Sequence, residues 1–186
     1  LNRRQRQMCI RDRIMRSISS IVFFRFIIIF LAQIIVFNNI LIFGLSADIY
    51  MIFLLIFPQN INKSLYYFLI FLYGIFLDSF SNSFGIITFS LLISCYLRPY
   101  ILDFSFGNFD MRKVGKVRDY LINTTIYQKL TYISLVIFCH NFVLYFVEIF
   151  SIYKLDLILR NATISSLISI TLILIILSLF YYKNER

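Results

Sequence analysis

The chain has 186 residues, 60% of them hydrophobic and 15% charged, with a mean hydropathy of +0.83 and a formal net charge of +9. A water-soluble domain of this length would have to leave large apolar patches exposed, so that class is excluded. Continuous apolar runs with only five glycines and two prolines also exclude the alternating, turn-rich strands of a membrane barrel, and the chain reads as an all-α integral membrane protein.

Residues 1–13, LNRRQRQMCIRDR, resemble a translated sequencing adapter and read as a non-native leader, with Met15 near the natural start and 14–186 as one polytopic membrane domain. They hold five arginines and one aspartate, so without them the net charge falls from +9 to +5. The remaining cations flank apolar runs and do not cover a polar domain, which points to membrane topology and away from nucleic acid.

About six transmembrane helices are expected, over Ser17 to Phe37, Ala47 to Phe57, Ile61 to Leu77, Phe84 to Leu102, Leu130 to Phe150 and Asn161 to Tyr182. The first lacks a small-residue cleavage pattern before Asn38-Asn39 and should stay attached as an anchor; within it Arg25 can snorkel to the inner surface and Gln33 should bond a neighbour. The second is too short to cross a ~30 Å hydrocarbon core unless extended, and is expected to be broken or tilted, ending at Pro58 in a Gln59-Asn60-Ile61-Asn62-Lys63 turn. Cys95 and Cys139 fall within apolar helices and read as small hydrophobes.

A cytoplasmic N-terminus places Arg16, Lys63, Arg98, Arg112, Lys113, Lys116, Arg118, Lys129, Lys183 and Arg186 inside, against Lys154 and Arg160 outside. The C-terminus is then cytoplasmic too. With no Trp, the interfacial belt falls to Tyr66, Tyr67, Tyr96, Tyr100, Tyr127, Tyr132, Tyr181 and Tyr182, all near predicted inner ends. The basic loop at 103–129 lies on the same side, where its cations attract anionic membrane lipids.

This topology gathers Asp48, Asp78, Glu148 and Asp156 into an outer acidic rim beside Lys154 and Arg160. Asp78 lies ~26 Å along its helix from Ile61, close to the outer interface, and reads as an outward-facing acidic tip. Gly74, four residues earlier on the same face, permits close approach by a neighbouring helix, and Gly85 opens the returning helix after Ser81-Asn82-Ser83. In the fifth span His140 and Asn141 sit near mid-depth, and Asn141, Tyr145 and Glu148 share one face that should point into the bundle, for interhelical hydrogen bonds or a proton relay. Catalytic motifs of the G-x-S-x-G, H-E-x-x-H, C-x-x-C and P-loop types do not occur, and one histidine cannot build a multi-histidine metal site. No enzymatic activity, metal or cofactor is expected.

The run YGIFLDSFSNSFGIITFSLLISCYLRPY, with QIIVFNNI upstream and HNFVLYFVEIFS downstream, resembles the rod shape-determining protein MreD family in its Bacteroidota form, over Met15 to Tyr182. Gly74, Asp78, Gly85, Arg98 and Pro99 match the family's characteristic pattern, and His140 and Glu148 its Bacteroidota-like form. The resemblance implies a bacterial inner-membrane protein without catalytic residues, similar in fold to the six-helix substrate-binding subunit of vitamin transporters. It also implies a scaffold in the complex that elongates rod-shaped cells, bound to an MreC-like periplasmic protein and through it to an MreB-like actin filament and a peptidoglycan glycosyltransferase and transpeptidase. The six-helix count, short second span and buried polar stripe also fit a small-molecule transporter or substrate-capturing membrane subunit, and a lipid-handling role remains a third reading.

Overall fold

The computed structural model describes residues 27–42, 44–57, 62–107 and 124–182, the last four of these as backbone only. The leader, Arg16, Arg25, the turn at 58–61, the loop cations Arg112, Lys113, Lys116 and Arg118, and Lys183 and Arg186 lie outside the described residues, as do the side chains of Tyr181 and Tyr182.

The described chain is helical apart from its connections and residues 44–50, and Ile42 and Leu45 close a tight turn around Gly44. Its elements are α1 (Ile27–Phe37, ending in a π-helical turn from Gln33), α2 (Met51–Ile56), α3 (Lys63–Ser81), α4 (Ile86–Phe106), α5 (Ile126–Ile149) and α6 (Leu155–Tyr182). A single 3-10 turn, Ile152–Lys154, leads into α6. Four stretches are long and apolar enough to cross a membrane: Lys63–Ser81, Ile86–Phe106, Ile126–Ile149 and Ile152–Ser178. At 1.5 Å per residue even α3, with 19 residues, reaches ~28 Å, close to the hydrocarbon thickness. These four match the last four spans read from the sequence, with most ends shifted by one to four residues and the start of the last by nine.

The expected second span takes a different form. Only six residues, Met51–Ile56, are helical, and the chain before them is unwound from Gly44 to Tyr50. Asn38 after α1 donates to Ser81 Oγ at the end of α3 (2.9 Å), whereas the Phe57 ring lies against Tyr66 near the start of α3 (centroids 4.8 Å apart). Residues 44–57 therefore return the length of α3 through the interior of the bundle. Met51 and Leu54 are fully buried, and Leu55 almost so, in a core shared with Tyr73, Leu77, Leu91, Leu102, Tyr132, Val136, Ile137 and Ile173. Unwound backbone is tolerated at such a place only where protein supplies its hydrogen bonds, and the polar residues described next supply them.

The α4 and α5 helices are antiparallel: Ser94 lies against His140 and Arg98 against Tyr132. The α3–α4 turn, the α5–α6 turn and the end of α1 consequently share one end of the bundle. Thr125 and Gln128 form a capping box at the start of α5, on the opposite end.

Candidate functional site

Three polar constellations occupy an otherwise apolar bundle. The first is the α3–α4 turn. Gly85 precedes α4 with φ +91°, a left-handed value that glycine adopts without strain, but it has no side chain with which to cap the helix. Asp78, one turn before the end of α3, caps α4 in its place, since its carboxylate accepts from the backbone N–H of Ile87 (3.1 Å) and Thr88 (2.9 Å), and from the hydroxyls of Ser83 and Thr88. These two N–H groups are the ones an N-cap side chain ordinarily satisfies, and a carboxylate there also complements the helix dipole. Gly74, one turn earlier, lies against Thr88, so that a Cβ built on it would stand 2.7 Å from Thr88 Cα. The structure thus brings Gly74, Asp78 and Gly85 into one interlocked turn. It also corrects the outward acidic tip: Asp78 is only 8% exposed and faces α4.

The second constellation surrounds Arg98, counted from the sequence among the cations of the cytoplasmic side and completely buried in the structure. Its Nε donates to Tyr132 Oη (2.9 Å), Nη1 to Tyr66 Oη (2.9 Å), and Nη2 to the carbonyls of Leu55 (3.1 Å) and Phe57 (2.7 Å). Tyr132 also donates to Leu55 O (3.2 Å). The guanidinium therefore closes the C-terminal end of α2, where unpaired carbonyls would otherwise point into apolar surroundings. Tyr66 and Tyr132 serve this clamp and are not free interfacial anchors, unlike the exposed Tyr96, Tyr100 and Tyr127. Pro99 lies within α4, where it removes the N–H that would have bonded the Cys95 carbonyl.

The third holds the other end of α2. Gln33, on the π-turn of α1, accepts at Oε1 from the N–H groups of Ile49 (3.0 Å) and Tyr50 (3.2 Å), and donates from Nε2 to Ala47 O (3.0 Å) and Asn38 Oδ1 (3.2 Å). The Asp48 N–H donates to Ser169 Oγ on α6 (2.9 Å). The Asp48 side chain, 5% exposed, corrects the acidic rim a second time, since it points into the bundle. With the Asn141 amide oriented to satisfy both its neighbours, Nδ2 donates to Asp48 Oδ2 at 2.6 Å and the oxygen accepts from Ser166 N–H at 3.3 Å. Ser165 Oγ lies 3.4 Å from the same carboxylate oxygen. His140, fully buried, meets the Tyr50 hydroxyl through Nε2 (2.7 Å) and Ser94 Oγ through Nδ1 (3.3 Å). Asn141 and Tyr145 of the expected polar stripe do face inward, but Glu148 is exposed and belongs to none of the three groups, and Asp156 is likewise exposed.

Sequence reasoning placed His140, Asn141 and Gln33 correctly inside the bundle and missed Tyr50, Thr88, Ser94, Ser165 and Ser169. A usable signal existed in the i, i+4 serine pairs Ser90/Ser94 and Ser165/Ser169, each drawing a polar line down one face of an apolar helix. Among the described residues no three His, Cys, Asp or Glu side chains come together as metal ligands. Two surface grooves are lined mainly by apolar groups, one of about 410 Å³ by Phe146, Phe150, Ser151, Ile152 and Tyr153, the other of about 320 Å³ by Leu97, Tyr100, Ile101, Phe104, Leu135 and Cys139.

Fold and site together define an all-helical chain whose four long apolar helices have membrane-spanning length and whose buried polar side chains tie helix to helix. Comparison with known protein families, curated proteins and solved structures finds no match.

Proposed function

We propose that the protein is a non-enzymatic membrane scaffold of the bacterial cell-elongation complex, of the MreD type, seated in the inner membrane with both termini in the cytoplasm. In this reading the chain crosses six times, as the substrate-binding subunit of vitamin transporters does, with the unwound segment and α2 together making the second crossing. Its partner is an MreC-like periplasmic protein, and through it the MreB-like filament and the peptidoglycan synthases.

One observation carries the reading: Gly74, Asp78 and Gly85, three of the residues on which the MreD resemblance rests, interlock in a single turn. Residues of a shared motif that serve one another's packing are what a scaffold requires, and the buried Gln33, Arg98 and Ser169 likewise hold the backbone of and before α2. A substrate-capturing subunit would instead keep such groups free to meet a ligand.

The test is controlled depletion in the source organism together with affinity purification from its membranes. Depletion should turn rods into spheres, and an MreC-like protein should co-purify. Rods that keep their shape after complete depletion, in a strain with no second copy, would overturn the proposal.

A further inference from the structure

We propose that Ser46, Asp48 and Ser165 form a binding site for one monovalent cation of sodium size, between the unwound segment before α2 and helix α6. Such a site would exist whether or not the protein is a scaffold. Asp48 is 5% exposed, and Ser165 and Asn141 are completely buried. The partners of the Asp48 carboxylate are the Asn141 amide, 2.6 Å from Oδ2, and the Ser165 hydroxyl, 3.4 Å from the same oxygen. Both partners are neutral, and no lysine or arginine among the described residues bonds to this carboxylate. An acid so placed needs either a proton or a cation beside it.

The spacing of the oxygens favours the cation. Ser165 Oγ stands 3.3 Å from the Ser46 carbonyl oxygen and 3.4 Å from Asp48 Oδ2. Both separations exceed the range of about 2.5–3.0 Å in which O–H···O bonds lie. The hydroxyl also has a single proton for these two acceptors. Hard cations of this size hold oxygens at about 2.4 Å, which sets neighbouring ligands about 3.4 Å apart when they lie at right angles around the ion. A backbone carbonyl, a hydroxyl and a carboxylate oxygen thus meet at a spacing too wide for good hydrogen bonds and suited to shared ligation. The carbonyl comes from non-helical backbone, and unwound backbone carbonyls are what coordinate Na⁺ in the broken helices of transport proteins.

The surroundings fix the charge and the position. One carboxylate among neutral oxygens carries one negative charge, which a monovalent cation cancels. Ca²⁺ would leave a positive charge in an apolar bundle and takes roughly six to eight oxygens. The larger K⁺ requires wider spacing than these oxygens offer. Asn141 holds the carboxylate from α5, and Ser169, one turn beyond Ser165, accepts from the Asp48 N–H at 2.9 Å and fixes the backbone. On the other side Ser46 is half-buried and Gly44 exposed, which leaves an entry for the ion and for the waters that complete its shell. A cation here ties residues 46–48 to α6, so its binding opposes local opening of the unwound segment.

The experiment follows amide hydrogen exchange at residues 46–50 of the full chain in lipid nanodiscs, in NaCl, KCl or N-methylglucamine chloride at equal ionic strength. NaCl should slow exchange about tenfold or more relative to the other two salts. Asp48→Asn keeps the size of the side chain and removes its charge, and it should abolish the response to Na⁺. Ser165→Ala should weaken the apparent Na⁺ affinity about tenfold or more, measured as the NaCl concentration that gives half the slowing. Exchange that is the same in NaCl as in either other salt would overturn the proposal, as would a Na⁺ response that persists in Asp48→Asn. If Asp48→Asn fails to fold, Ser165→Ala decides: an undiminished Na⁺ affinity in that variant rejects the site.

Discussion

At the scale of single residues, Asp78 shows how an acid is made compatible with an apolar hairpin. It has no cationic partner in its hydrogen-bond set; two backbone N–H groups and two hydroxyls satisfy it. Charged capping interactions of this kind exceed an ordinary N-cap, so Asp78→Ala should lower unfolding free energy by about 2 kcal/mol, measured by reversible denaturation in mixed micelles. Gly74→Ala should cost about 1–3 kcal/mol by overpacking. Adding Thr88→Ala should not rescue it, because the Thr88 Cα itself stands 2.7 Å from the new Cβ. Rescue would show that the close approach is between side chains and not backbones. The Gly74/Asp78 pairing was legible in the sequence because both lie on one helical face; the identity of the N–H groups that Asp78 caps was not, because they belong to the next helix.

At the scale of elements, α2 departs most from expectation. A continuous apolar run from Ile49 to Phe57 looks like helix to any local pattern. What unwinds its first part are partners 16 and 121 residues away, Gln33 and Ser169, and no periodicity within the run encodes them. Arg98 was misplaced for a related reason. A cation near a predicted helix end is ordinarily a surface charge, and only the exposed carbonyls of a short neighbouring helix give it a buried use. Glu148 failed differently: its spacing from Asn141 is right for the inner face, but the last turn of α5 runs out past the packed core. Six residues cannot hold a helix by themselves, so α2 should depend on both its clamps. Gln33→Leu should speed amide hydrogen exchange at Ile49 and Tyr50 by about tenfold or more, and Arg98→Met should do the same toward the other end of α2, each loss being worth about 1–3 kcal/mol per orphaned group. Exchange unchanged in both variants would mean that apolar packing alone fixes α2.

At the scale of the molecule, the two ends of the bundle differ in kind. One carries the connections at Asn82–Gly85 and Phe150–Lys154, where Phe84 and Tyr153 are almost wholly exposed and both Phe84 and Phe150 have positive φ. The other begins α3 and α5. If both termini lie in the cytoplasm, as proposed, the first end faces outward. Tyr153→Cys in intact cells should then react with a membrane-impermeant thiol reagent and Tyr127→Cys should not, each judged against the unsubstituted chain with its own cysteines. The opposite pattern would invert the topology and move any external partner to the α3 and α5 starts.

The reach of α2's hydrogen bonds also sets an order of events during synthesis. The Asp48 N–H meets Ser169 across 121 residues, a stretch that a ribosome working at about 5–20 residues per second needs about 6 to 24 s to produce. During that interval the partners of residues 46–50 on α5 and α6, His140, Asn141, Ser165 and Ser169, are made one after another, while the helices flanking the segment are already able to enter the bilayer. The segment at the centre of the finished bundle is accordingly among the last to settle. Until α6 arrives the nascent protein is an open ring around a missing strut, and that is the stage at which insertion machinery has most to shelter.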